Sequence, residues 1–134
     1  MMSAQTWHAL GGFREDLFLY WEDADLCRRA VDAGLVLQVV PDARVWHAQG
    51  VSSAGGRTGN GPAFYYYNQR NRVLICGGRV GKWRLVAVTG LRETLRLLAK
   101  PLLVERSARW VTFAASLRGL RDGLQGKKGR GFPD

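Results

Sequence analysis

The chain has little with which to build cross-links or metal cages. Cys27 and Cys76 are its only cysteines, and they lack any metal-ligand spacing. That excludes a disulfide-stapled secreted scaffold and a zinc ribbon; both thiols are expected reduced, in the core, in a cytosolic setting. Histidine is equally scarce, with His8 and His47 alone. No apolar run reaches the roughly 20 residues that a membrane span needs. Residues 1–10 are mixed in character and do not read as a secretory signal. A phosphate-binding P-loop, a GxGxxG turn after a strand, a CxxC pair and a Ser-His-Asp order are all missing. Acids are scarce in one half. Residues 63–134 carry fifteen Lys or Arg against four Asp or Glu, whereas residues 1–62 carry five Arg against seven acids. The rear half is therefore expected to seek a phosphate-rich surface: an anionic bilayer, a nucleotide or nucleic acid.

What is present argues for a folded protein, since 46% of the 134 residues are hydrophobic. Thr6–Leu10 allows a short helical turn, stopped by Gly11-Gly12, where a backbone without side chains lets a ligand or strand approach closely. An aromatic run at 17–21 follows. Residues 23–33 read as a helix with Ala24, Cys27, Ala30 and Val31 inward, Arg28, Arg29 and Asp32 outward, and Gly34 at its C-terminal stop. Val36–Val40 is β-branched and predicts a buried strand, Pro41–Ala43 a turn, and Arg44–His47 a second short strand. Residues 48–62 form a small-residue loop of about 15 residues, long enough for a lid. Residues 63–79 read as a helix with a polar, partly solvated middle. Two more helical patterns fill 82–124, split near Lys100 by Pro101. Their apolar faces, edged with Trp and flanked by Arg, suit a membrane surface. Residues 125–134 are expected as a flexible basic tail.

The stretch richest in chemistry is Phe18-Leu19-Tyr20-Trp21-Glu22-Asp23-Ala24-Asp25. Three carboxylates in four positions follow an aromatic run that excludes water, which makes each charge costly unless something cationic or proton-bearing meets it. One reading is a helix start, where acids complement the dipole. The other is a general base, with Trp21 and Tyr20 as apolar walls around Asp23. The two combine if Asp25 caps and Asp23 reacts. His47, at the end of an extended piece, is a candidate ligand for a divalent metal, although one His and nearby acids cannot fill an octahedral Mg²⁺ or Mn²⁺ shell.

Gly11-Gly12-Phe13, Phe18 through Ala30, Ala33-Gly34, Val40-Pro41-Asp42-Ala43 and Trp46-His47 together resemble the C-terminal half of family 2 glycosyltransferases. The similarity is greatest to the rhamnosyltransferase-like and galactofuranosyltransferase-like members of bacterial cell-envelope synthesis, and it covers roughly residues 7–75. The resemblance implies an α/β fold, a partial GT-A domain: an open mixed sheet with flanking helices, followed here by C-terminal amphipathic helices. It implies that Asp23 is the base that deprotonates an acceptor hydroxyl, that Trp21 and Glu22 border the acceptor, and that Ser52 and Ser53 lie by the diphosphate or acceptor; Gly12, open to close approach, is counted with them as substrate-binding. His47 would help to hold a divalent cation, Mg or Mn. The reaction would be inverting transfer from a nucleotide-sugar donor to a glycan or lipid-linked acceptor, at the cytoplasmic face of the plasma membrane.

On this reading residues 1–62 are the acceptor-side half of a GT-A domain, 63–124 a basic helical region at an anionic membrane surface, and 125–134 a tail. The nucleotide-binding half with its Asp-x-Asp motif is not in the chain, which is expected to be incomplete and inactive alone. Arg14 stands where the family often has an acid. Nucleic acid is not an expected partner. The rival readings are a non-catalytic basic module for nucleic acid and a regulatory or vestigial piece that docks on another glycosyltransferase.

Overall fold

Among the described residues, the aromatic-rich helix over residues 62–80 is the one against which the later helices pack. In the computed structural model, which describes residues 2–46, 61–105 and 108–132, this is α3, Pro62–Val80. Pro62 sits at its first turn, where the missing N–H costs nothing. The elements in order are α1 (Ala4–Leu10), a 3-10 turn (Glu15–Leu17), α2 (Glu22–Asp32), α3, a short α4 (Lys82–Arg84) running into a π-helical turn (Leu85–Thr89), α5 (Leu91–Val104) and α6 (Arg109–Gln125).

Helix α6 crosses α3 closely because the contact face carries small residues. A methyl group at Gly119 would lie 2.2 Å from the Tyr66 carbonyl oxygen, and one at Gly123 would lie 2.9 Å from that of Arg70. Tyr66, Tyr67 and Ala115 form the buried centre, with Leu19, Tyr20, Ala63 and Phe132 packed on it. Helix α2 runs alongside α3 in the same direction. Trp21 meets Asn68, Arg28 meets the Ile75 carbonyl, and Asp32 pairs with Arg79, each at the same offset of 47 residues.

The expected α/β fold is not what forms: among the described residues there are helices and no strand. Residues 35–46 are the β-prone stretch, yet Val36 is 87% exposed and Val39 90% exposed. Branching favours an extended backbone, but a strand persists only when its N–H and C=O groups meet a second strand, and none of the described residues supplies one. A mixed sheet of the GT-A kind is accordingly absent from the described residues. The turn over Pro41–Ala43 does form, closed by Ala43 N–H on the Val40 carbonyl at 3.1 Å.

Pro101 does not split the rear helices either; it lies buried inside α5. Proline withholds the N–H that would bond the Leu97 carbonyl. That oxygen instead accepts a hydrogen bond from the Ser116 hydroxyl of α6 at 2.9 Å, so the helix continues to Val104. The glycine stop of α2 forms as expected: Gly34 has φ +79, its N–H reaches the Val31 carbonyl, and Leu35 N–H reaches that of Ala30. The thiols are not core groups as expected. Cys27 is exposed and Cys76 half-buried.

The basic run after α6 is fastened down through Phe132. Lys128 pairs with Asp16 at 2.9 Å, Gly129 N–H reaches the Asp16 carbonyl at 2.6 Å, and Phe132 packs at a tilt on Tyr66 with ring centroids 5.4 Å apart.

Candidate functional site

The acidic run opens α2, and its three carboxylates meet three different fates. Asp25 is fully buried. Its Oδ2 accepts from Arg29 Nε at 2.7 Å, while its Oδ1 faces Arg28 Nη2 at 3.3 Å and Arg14 Nη1 at 3.5 Å. A carboxylate without water needs such cations, because unpaired burial of a charge is prohibitive. Arg29 carries the connection onward, donating from Nη2 to the Gly12 carbonyl at 2.7 Å and from Nη1 to that of Leu10. Asp25 is therefore a structural anchor and not the cap that the helix-start reading allows. It also turns α2: Asp25, Leu26 and Ala30 face inward, while Ala24, Cys27 and Val31 face solvent.

Asp23 is exposed, and its Oδ1 accepts from the Ala24 N–H at 2.7 Å. The apolar enclosure expected around it is not built by the described residues. Glu22 is half-buried, and its Oε2 is shut off from solvent with no hydrogen-bond partner among the described residues. Asp23 and the orphaned oxygen of Glu22 are thus the two acceptors in this run with capacity to spare.

The turn that delivers these acids is held under strain. Phe18, Tyr20 and Trp21 have φ of 63, 64 and 74°, in the left-handed region that side chains disfavour. Leu19 N–H reaches back to the Leu17 carbonyl at 2.8 Å, closing a γ-turn of the rare positive-φ kind. Such a backbone lasts only where its surroundings fix it. Asn71 of α3 does so: the two hydrogens of Nδ2 are shared among the carbonyls of Leu17 at 3.0 Å, Leu19 at 2.9 Å and Tyr20 at 2.8 Å. Arg70 Nη2 adds a bond to the Leu17 carbonyl at 2.7 Å, and its guanidinium lies 4.8 Å from the centroid of the Tyr67 ring. Trp21 is pinned by its indole N–H on Asn68 Oδ1 at 3.2 Å.

Gln69, Arg70, Asn71 and Arg72 are all buried, although their sequence reads as the solvated middle of α3. Four consecutive polar residues cannot share one solvent face of a helix that is apolar at both ends, and that conflict with helical period was the available signal. Arg72 is held by Thr94 Oγ1 at 2.6 Å and Gln69 Oε1 at 3.2 Å, and burial pulls its pKa down from the usual arginine value.

Gly12 is buried at φ +65, and what approaches it is the Trp7 indole, 3.1 Å from where a Cβ would sit. Arg14, the residue out of place in the family pattern, forms a two-pronged pair with Asp16, at 3.0 and 2.8 Å. That pair, with help from Lys128, draws the Asp16 carboxyl down to about 2, outweighing the opposing effect of burial. His47, Ser52 and Ser53 lie outside the described residues. Among the described residues, no three His, Cys, Asp or Glu side chains could together hold a metal ion. Of the carboxylates brought inward, Asp16 and Asp25 are taken up by guanidinium and ammonium groups.

These residues sit in a chain of glycosyltransferase-like relationship. Its similarity is to rhamnosyltransferases in particular. Over 102 residues, 75% of the chain, it is 33% identical to an N-acetylglucosaminyl-diphospho-decaprenol L-rhamnosyltransferase of Mycobacterium tuberculosis, of which it covers 31%. Over 79 residues, 56% of the chain, it is 29% identical to the dTDP-rhamnosyl transferase RfbF of Shigella flexneri, of which it covers 27%. The chain thus spans under a third of the length of these curated relatives. No protein-family model matches it, and no solved structure does.

Proposed function

We propose that the chain is the acceptor-side part of a glycosyltransferase that moves a sugar, of the rhamnose kind, from a nucleotide-sugar donor to a cell-envelope glycan or lipid-linked acceptor. Asp23 is the general base. It takes the proton of the acceptor hydroxyl as that oxygen bonds the anomeric carbon. The bond from that carbon to the donor diphosphate breaks, the diphosphate leaves with the electron pair, and the configuration inverts. Glu22, next to Asp23 in the chain, orients the acceptor, and Trp21 lines its apolar side. The observation that carries this reading is the division of labour in one helical turn. Asp25 is consumed by three arginines, while Asp23 stays open to an incoming ligand at the end of a strained, clamped turn. Strain of this sort gathers at functional sites.

A divalent cation, with His47 among its ligands, belongs to the same proposal. The described residues do not form its site, and no step above runs through it.

The test is sugar transfer by the protein expressed from its own locus, with a dTDP-rhamnose donor and a lipid-linked acceptor. Asp23→Asn is expected to lower the rate about 10²–10⁴-fold, the usual range for a lost general base, with donor binding unchanged. Transfer near the wild-type rate in that variant would remove the assignment.

A further inference from the structure

We propose that the outward face of α5 is a docking surface for an anionic phospholipid bilayer. The inner face of α5 is already accounted for: Thr94, Leu97 and Pro101 are buried in the bundle. The outer face is not polar, as a solvated helix requires. Leu91, Leu95, Ala99 and Leu103 recur every fourth residue, and all are exposed, Leu95 by 55% and Leu103 by 82%. Four residues at that spacing drift by about 120° in total around the axis, so they make one continuous apolar stripe.

Arg92, Arg96 and Lys100 each follow a stripe residue by one position, which sets a row of cations about 100° round along one flank. Arg96 is paired with Glu93 at 2.6 Å; Arg92 and Lys100 have no such acid among the described residues. Between 82 and 121 the sequence has nine Lys or Arg and two acids.

Apolar residues edged by cations fit a boundary between hydrocarbon and anionic headgroups. The charge alone would suit nucleic acid equally, but phosphate backbones give the leucines nothing to enter. The apolar stripe therefore decides for lipid. Trp83, exposed by 72% just upstream, adds an aromatic suited to the headgroup level. No helix among the described residues is long and apolar enough to cross a membrane, so the contact is parallel to the surface.

The experiment is co-sedimentation of the full chain with sucrose-loaded vesicles of mixed phosphatidylglycerol and phosphatidylcholine, beside pure phosphatidylcholine vesicles and duplex DNA. Binding is expected to the mixed vesicles, less to the neutral ones, with a portion that survives high salt. The double variant Leu95→Asp/Leu103→Asp is expected to lose about tenfold or more in vesicle partitioning, with its helical circular dichroism intact. Arg92→Glu is expected to lose the preference for anionic lipid while keeping the salt-resistant part. Three results would overturn the proposal: undiminished partitioning of the double variant, binding to DNA without binding to vesicles, or a self-association that the double variant dissolves. None depends on sugar transfer, so the surface and the transferase reading fail or stand separately.

Discussion

Residues 17–21 and residues 35–46 are both irregular, and they lie at opposite ends of α2. The first carries three residues with positive φ and a γ-turn, yet the carbonyls of Leu17, Leu19 and Tyr20 each meet a donor from α3. The second needs no unusual backbone at all. Its valines favour extension, but it lies exposed, with Trp46 99% open. Intrinsic conformational preference is therefore a poor guide to which loop is fixed. What decides is whether backbone polar groups find partners on a neighbouring element.

The largest effect on this contrast should come from Asn71→Leu. The substitution keeps the bulk and removes the amide that serves three carbonyls. Each buried acceptor left without a donor costs on the order of 1–3 kcal/mol, and Arg70 still serves Leu17, so a loss of about 3 kcal/mol is expected. Urea unfolding measures it. A loss under about 1 kcal/mol would mean that the turn is held by its aromatic contacts and not by the amide.

That clamp also marks the border of what could be read from the amino acids alone. The helical elements at 4–10, 22–32 and 62–80 were legible from their apolar period and, for the first two, from the glycines that stop them, whereas Gly77-Gly78 do not end α3, which runs on to Val80. The acidic run was legible as a special place, because three carboxylates after aromatics conflict with simple burial. Which acid does what was not. Asp25 is consumed by Arg14, eleven residues upstream, and by Arg28 and Arg29, three and four residues downstream. Only the path of the Gly11-Gly12 turn brings Arg14 to the others. The continuity of α5 was equally hidden. It rests on a hydroxyl from Ser116, nineteen residues away from the carbonyl that Pro101 leaves free. The reading of Val36–Val40 as a strand failed for the opposite reason, since local preference was correct and the partner strand was not among the described residues.

A smaller effect should come from acid, acting on the front of the clamped turn. Asp16 sits in the 3-10 turn that leads into it, paired with Arg14 and Lys128. Those partners hold its folded-state value near 2, below the ordinary 3.8. A depressed carboxylate stabilises the fold fully above about pH 4, and the contribution fades as pH falls toward 2. The groups are about a third exposed, so the contribution is expected near 0.5–1 kcal/mol. Asp16→Asn should lower stability by that amount at pH 7 and by almost nothing at pH 2. Asp122 provides an internal reference. Burial resists its ionisation, but Lys127 and the Tyr66 hydroxyl outweigh that and hold its carboxyl below the usual range. Its acid dependence should therefore survive in the Asp16 variant. If stability measured against pH is the same with and without Asp16, the ion pairs are spectators of the turn.

The smallest effect should come from the unfastened stretch, and it tests the other side of the contrast. Val39 is nine-tenths exposed, so Val39→Thr removes little buried surface and breaks no described hydrogen bond. Exposed substitutions of this kind change stability by no more than about 0.5 kcal/mol. Asn71→Leu and Val39→Thr measured side by side thus set an amide that serves three carbonyls against a methyl group that faces water. A loss above 1 kcal/mol at Val39 would mean that this stretch packs on something in solution. The distinction between a clamped turn and a free one would then lie in the choice of partner and not in its presence.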